Sequence, residues 1–571
     1  MKNCLFKYKS HLATAFIGLC LVSTGCTDKF EEINTDPKGV DDSVTDMVDK
    51  IQSPLDNIIP PQEHRYQLWA NLTTDIFAGF MMGVNDFGGS NNYNYQLRPD
   101  HCAQTYDDFY LYVFKYTSQY IPQCKALERF ELAAMMQIAN VAAILPVVTS
   151  YGPAQYSCVL EGSDTYYDSE ETIYKRLFQD LKEAVEWLKD FRDSSPSQDL
   201  LDDFKRADKV CDGDIDKWIK FANTLRLRIA MQLVKVYPDS QKEAEDAVRD
   251  GVLTNSDSDV VLKSGLMLFR IEDLWNDTRA NANIISILQG YSDPRLERWF
   301  ATNNADIYST DDELSPVVEK ATKYLGVRQG VPMTRTEYQG YSKTSRVGIP
   351  EQGPRPVLRV AEAYFLRAEG MLRNWNMGDG TPESLYNEGI HSAWASVLGD
   401  ESGWAGTYES YINGFINTEE GGDFDWELFE GGFGSAPYIN YRNQEYNYYI
   451  EENGKQVGIN RISVRWHDED SPEKKLQRII TQKWISFFPT LSSVAWTEYR
   501  RTGYPKLIPI PSDLNYSNGA IDTELQIRRL PFTQSEYRGN TEEVNKALGL
   551  LKGPDNGGTR LWWDVDKGNF E

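Results

Sequence analysis

"GDIDKWIKFANTLRLRIAMQLVKVYP", residues 213–238, decides the fold class. Ile215, Trp218, Ile219, Ala222, Leu225, Ile229 and Leu233 recur at steps of three and four, which gathers them on one side of an α-helix. Asp214 and Asp216 open it, where the positive end of the helix dipole favours acids and either side chain suits a cap. Pro238 is expected to stop it. The next segment, "SQKEAEDAVRDG" (240–251), has a shorter helical pattern and ends on Gly251. The two read as a helical hairpin.

Other segments repeat the theme. "ETIYKRLFQDLKEAVEWLKD" (171–190) puts Ile173, Leu177, Leu181, Ala184, Val185 and Leu188 on one face. "PVLRVAEAYFLRAEGMLRNW" (356–375) followed by "TPESLYNEGIHSAWASVLG" (381–399) predicts a second hairpin. "FELAAMMQIANVAAILPVV" (130–148) is apolar and small almost throughout, the pattern of a helix buried between others. Hairpins of this size resemble tetratricopeptide repeats, although no clean self-match at 34 residues occurs. The expected fold is mainly α: tetratricopeptide-like hairpins with long irregular stretches, chiefly 399–471 and 505–571.

The first of those stretches is the informative one. Between Trp404 and Tyr449 stand 13 aromatic residues in 46, or 28% against 12% for the whole chain. Glycine, Asn and Asp are interleaved, so the pattern is that of a loop-rich surface. "GGSNNYNYQ" (88–96) has the same character. Rings set among amides and carboxylates stack on sugar faces or hold an extended peptide. The candidate ligand contacts are Trp404, Trp426, Tyr438, Tyr441, Tyr446, Tyr448, Tyr93 and Tyr95. The alternative is architectural, with the rings pinning a long insertion onto the helical body.

Composition narrows the function. The chain has 571 residues and a formal charge of −26. Such a balance argues against nucleic acid, which attracts basic surfaces. Nucleophile-elbow, P-loop, zincin and dinucleotide signatures are all missing, so no catalytic residue and no cofactor is assigned. "DGDID" spaces Asp212, Asp214 and Asp216 like the opening of a calcium loop, but Lys217 stands where the turn glycine belongs and Asn223 where the closing glutamate belongs. Helix capping accounts for these acids, and no metal site is assigned. Cys102, Cys124, Cys158 and Cys211 allow three full disulfide pairings, between which the sequence does not choose.

The N-terminus reads as a leader. Lys2, Lys7 and Lys9 precede an apolar run from Leu12 to Val22, too short to span a bilayer, which needs about 20 residues. "Ser-Thr-Gly-Cys" follows and resembles a bacterial lipoprotein cleavage site, with Cys26 as the acylated new terminus. Ser23 stands where such signals usually carry an aliphatic residue, and an ordinary signal with an incidental cysteine is the alternative. Removing residues 1–25 takes away three lysines and no acids, moving the charge to −29. Residues 26–45 then form an acidic tether, resembling the surface-export signals of some Gram-negative lipoproteins, and 46–571 the body.

In their shared order, several elements resemble the SusD/RagB family of nutrient-binding outer-membrane lipoproteins, in its SusD-like branch. They are "FEEINTDP" (30–37), "SYGPAQYS" (150–157), "GDIDKWIKFANTLRLRIAM" (213–231), "GYSDPRL" (290–296) and "VLRVAEAYFLRAEG" (357–370), then "QKWISFFPTLSSVAWTEYRRTGYP" (482–505), "RRLPFTQSEYRGN" (528–540) and "LWWD" (561–564). In the second, Pro153 directly follows Gly152 and the family's usual order is lost. Most of these residues read as architecture: Asp293-Pro294 as a turn, and Arg226, Arg228, Glu362, Arg367, Glu369, Arg500 and Arg501 as helix-packing ion pairs.

The resemblance implies a platform of four tetratricopeptide-like hairpins packed on a TonB-dependent, SusC-like β-barrel. The lipoprotein would lie on the outer membrane facing the exterior, catch oligosaccharide or peptide, and close over the barrel as a lid. The family's ligand residues lie in variable loops, so none carries over by position. Two other readings remain: a surface glycan hydrolase with an unrecognised carboxylate pair, and a tetratricopeptide scaffold that binds only proteins.

Overall fold

The computed structural model describes residues 46–85, 87, 91–263, 265, 268, 270–302, 324–333, 340–413, 434–439, 444–452 and 454–571. The leader, Cys26, the tether, Trp426 and Tyr441 lie outside them. Two units are distinguished, Met1–Lys50 and Ile51–Glu571. The described part of the first holds a short helix, Met47–Lys50. The second carries everything that follows.

Its longer helices, in chain order, are α1 (Pro99–Asp108), α2 (Lys115–Ala126), α3 (Phe130–Tyr151), α4 (Glu170–Asp193), α5 (Gln198–Ala207), α6 (Ile215–Gln232), α7 (Ser240–Arg249), α8 (Val360–Leu372), α9 (Pro382–Leu398), α10 (Pro472–Ser486) and α11 (Ser492–Thr502). Neighbours in sequence pack as hairpins: α2 on α3, α6 on α7, α8 on α9. Cross-packing of α4 on α3 and α6, α6 on α8, and α8 on α10 joins them into one helical body. Among the described residues, three small antiparallel pairs complete it: Met81–Gly83 with Thr278–Ala280, Val260–Leu262 with Arg355–Leu358, and Ile450–Glu452 with Lys455–Val457.

α3 is long and apolar enough to cross a membrane by length and composition, yet 94% of its apolar window is buried within the protein. It is the core helix that its small, apolar sequence predicts. α6 begins where expected: the Asp214 side chain accepts from the Lys217 amide at 2.9 Å and is the cap. Asp216 instead meets Arg192, and Asp212 meets Lys263. α6 stops at Gln232, earlier than Pro238, in turns that bond Val236 and Tyr237 back to Leu233.

The hairpin predicted over 356–375 needs a correction at its start. Arg355–Leu358 is a strand, and the helix begins only at Val360. Asp259 sets the switch, because one oxygen accepts from the Val360 amide and the other from the Arg359 guanidinium, each at 2.9 Å.

Of the predicted packing ion pairs, Arg228–Glu362 bridges α6 to α8 through two bonds of 2.8 and 2.5 Å. Arg226 meets Glu243 of α7. Arg501 joins Glu369 of α8 and Glu498 of its own helix, and Lys483 of α10 also reaches Glu498. Burial opposes ionisation of Glu369, but Arg501 and Arg373 outweigh it and hold the carboxyl down at about 2. Arg367 and Arg500 differ from expectation. Arg367 donates to the carbonyls of Met377 and Asp379. Arg500 donates to those of Thr149 and Arg528 and lies 3.5 Å over the Trp496 ring. Cys102, Cys124, Cys158 and Cys211 are free, buried thiols.

Candidate functional site

The aromatic stretch divides into two parts with different surroundings. Trp404 opens a short helix, Ala405–Ile412, whose turn spacing directs Tyr408 and Tyr411 to the same side. All three are buried. Trp404 packs edge-on against Trp394 of α9 and against His391, and its indole N–H donates to the Gly399 carbonyl at 3.1 Å. The Tyr411 hydroxyl donates to Asp293 at 2.7 Å, and that of Tyr408 to the Asn387 carbonyl at 2.8 Å. These rings fasten the segment after α9 to the helical body.

The second part lies between 434 and 449. Its entry is fixed by glycine: Gly434 has φ +127°, and a Cβ there would overlap the Asn460 carbonyl oxygen. The Ser435 amide donates to that same carbonyl, so the segment is seated on 460. Tyr438 and Tyr448 then pair through two backbone bonds of 2.9 Å. Tyr438 is buried beside Ala282 and Ile508, with Tyr448 packed against that cluster.

Arg328 is the hub. Its guanidinium donates to the carbonyls of Tyr446 (2.9 Å), Asn447 (3.4 Å) and Pro509 (3.0 and 3.2 Å). Its backbone N–H reaches the Tyr438 hydroxyl at 3.4 Å, and its flat cation lies 4.9 Å from the centre of the Tyr448 ring. Burial lowers its pKa from the usual guanidinium value. It thus ties 446–448 to the segment that starts at Pro509. That segment continues to Tyr516, whose amide donates to the Asn94 carbonyl at 2.9 Å. Asn94 belongs to the turn Asn92–Asn94, and Tyr95 follows it in the left-handed region at φ +65°.

Backbone bonds and Arg328 thus link the segments that carry five of the eight candidate rings: Tyr93, Tyr95, Tyr438, Tyr446 and Tyr448. Their exposures differ. Tyr93, Tyr95 and Tyr438 are buried. Tyr446 and Tyr448 are half-buried, and Tyr516 beside them is 48% exposed. Trp404 is only 6% exposed and sits in the α9 cluster described above, apart from this group. Burial raises the hydroxyl pKa of Tyr446 and Tyr448, with Glu445 and Asp513 adding to it for Tyr446 and Glu524 for Tyr448.

Sequence reasoning missed Tyr516, Arg328 and the acids. One signal was present for Tyr516: "NYSNG" (515–519) sets a ring in the same Asn/Ser/Gly turn chemistry as "NNYNYQ". Arg328 gave none, because nothing around it marks three distant carbonyls as its partners. A separate cleft of about 510 Å³ lies at the start of α8, walled by Trp299, Ile349, Pro350 and Pro356, with the Asp259–Arg359 pair on its lining. Among the described residues, no three His, Cys, Asp or Glu side chains gather as metal ligands.

A body of stacked helical hairpins with long loops defines the class of the fold: a tetratricopeptide-like helical scaffold. The SusD-like family model, described as SusD and RagB outer membrane lipoprotein, matches residues 32–408 and 433–564, and the chain belongs to that family. Among solved structures it is similar to a chitin-binding SusD homologue from Flavobacterium johnsoniae, at 34% identity and TM-score 0.77, covering 92% of this chain and 100% of that one. It is also similar to SusD homologues from Bacteroides vulgatus (29% identity, TM-score 0.76, 92% and 98% covered) and Bacteroides ovatus (28%, 0.75, 91% and 99%). A search of curated proteins found no match.

Proposed function

We propose that the protein captures oligosaccharide at the outer face of the outer membrane and serves as the lid of a TonB-dependent, SusC-like transporter, with no chemistry of its own. Membership of the SusD/RagB lipoprotein family supports the location, with Cys26 as the site of acylation. The chitin-binding relative supports glycan over peptide as cargo. The observation that carries the reading is that Arg328 holds the segment of half-buried Tyr446 and Tyr448 against Pro509, on the stretch that continues to exposed Tyr516. Flat rings edged by amides and carboxylates bind the apolar face of a pyranose while their polar neighbours take its hydroxyls.

The test is a titration of purified protein against a panel of oligosaccharides and peptides, with the mixtures analysed afterwards for cleavage. Saturable glycan binding with intact glycan supports a carrier. Released product would make it a hydrolase, and binding of peptides alone would move the cargo to another class.

A further inference from the structure

The ring surface carries a charge pattern that selects among glycans. Glu445, Asp513, Asp522 and Glu524 are exposed on the segments that build it. Among the described residues, neither Asp513 nor Glu524 has an ion-pair partner. Among the described residues, the cation at the centre is Arg328; it is buried, and its guanidinium bonds run to backbone carbonyls while its face lies on Tyr448. It positions the rings and holds no donor pair out for a ligand carboxylate or sulfate. Tyr95 and Tyr448 both feel Glu524, and Tyr446 feels Asp513, so the acids lie within electrostatic reach of the rings themselves.

From this geometry we infer that the surface takes neutral or amino-bearing oligosaccharides and rejects uronic-acid and sulfated ones. The inference rests on the ring surface being the glycan site. Like charges at the rim cost affinity and slow encounter, whereas a protonated amino sugar gains on both counts, and salt weakens each effect.

Three hexasaccharide probes test it: N-acetylchitohexaose (neutral), its fully deacetylated form (cationic) and hexagalacturonate (anionic). The expected order at low salt is cationic at least equal to neutral, with the anionic probe about tenfold weaker or more. The double variant Asp513→Asn/Glu524→Gln cuts the advantage of the cationic over the neutral probe and narrows the gap between the neutral and the anionic probe by about tenfold. Hexagalacturonate binding as tightly as the neutral probe, or a gap the double variant leaves intact, overturns the inference while the glycan reading survives. Failure of all three probes and of any other glycan would remove the reading beneath it as well.

Discussion

Two tryptophan and tyrosine populations from one aromatic-rich stretch do different work at the residue scale. Trp404 is enclosed by Trp394, His391 and Tyr408, so truncating it leaves a cavity. Trp404→Ala is expected to cost about 3–5 kcal/mol of folding stability, read by denaturant or thermal melts, with glycan affinity intact in the folded fraction. Glu170 makes a separate residue-scale case. It is buried at the start of α4, accepts from the Trp562 amide at 2.9 Å, and burial raises its pKa from 4.5 to about 7. Because the folded value is the higher one, the native state keeps a proton that the unfolded chain gives up. This contribution to stability falls as pH rises from 4.5 through 7. Glu170→Gln keeps the acceptor without the charge. It should stabilise the protein by about 1–3 kcal/mol at pH 8 and by little at pH 4.5, so a gain equal at both pH values would contradict the account.

Among the elements, periodicity carried most of the information. α4, α6, α7 and α9 stand close to where their sequence patterns put them, because one-sided spacing is a local feature, as are the Ser169, Asp214 and Thr381 caps of α4, α6 and α9. The beginning of α8 was illegible because it depends on Asp259, a hundred residues upstream. Likewise, Arg226, Arg228 and Arg501 could be read as packing cations, but the backbone partners of Arg367 and Arg500 are set by tertiary packing. The Arg501–Glu369–Glu498–Lys483 network joins α8, α10 and α11 in the buried interior. Removing its shared cation in Arg501→Met leaves buried Glu369 to Arg373 and buried Glu498 to Lys483, each short of one partner, and the expected loss is about 3–5 kcal/mol by chemical denaturation. The second variant, Glu369→Gln, tests the pH side. The carboxylate's folded value of about 2 lies below 4.5, so its contribution is complete above 4.5 and lost as pH falls toward 2. Acid unfolding of Glu369→Gln should therefore be shallower across that window.

For the whole molecule, the family and the mainly helical body were legible because motif order survives where individual motifs are modest. The proposed ligand surface was only partly legible. Ring density pointed to 404–449, but the fold divided that stretch between packing and surface, and added Tyr516 from another segment. Membrane attachment is expected to depend on Cys26: Cys26→Ala should abolish acyl labelling and release the protein from the outer-membrane fraction. Mild detergent extraction of the wild type should bring a large β-barrel with it, and extraction as a lone monomer beside a co-expressed barrel would count against the lid.

The central claim is that oligosaccharide binds at the rings held by Arg328, and one paired measurement tests it most directly. A neutral oligosaccharide that binds the wild type is titrated into Tyr448→Ala, Tyr516→Ala and the double variant, with a melt recorded for each. The account predicts a loss of about 1–3 kcal/mol of binding per ring, by analogy with stacking on bases, and a stability change for Tyr516→Ala of about 0.5 kcal/mol or less. Undiminished affinity in the folded double variant would contradict it.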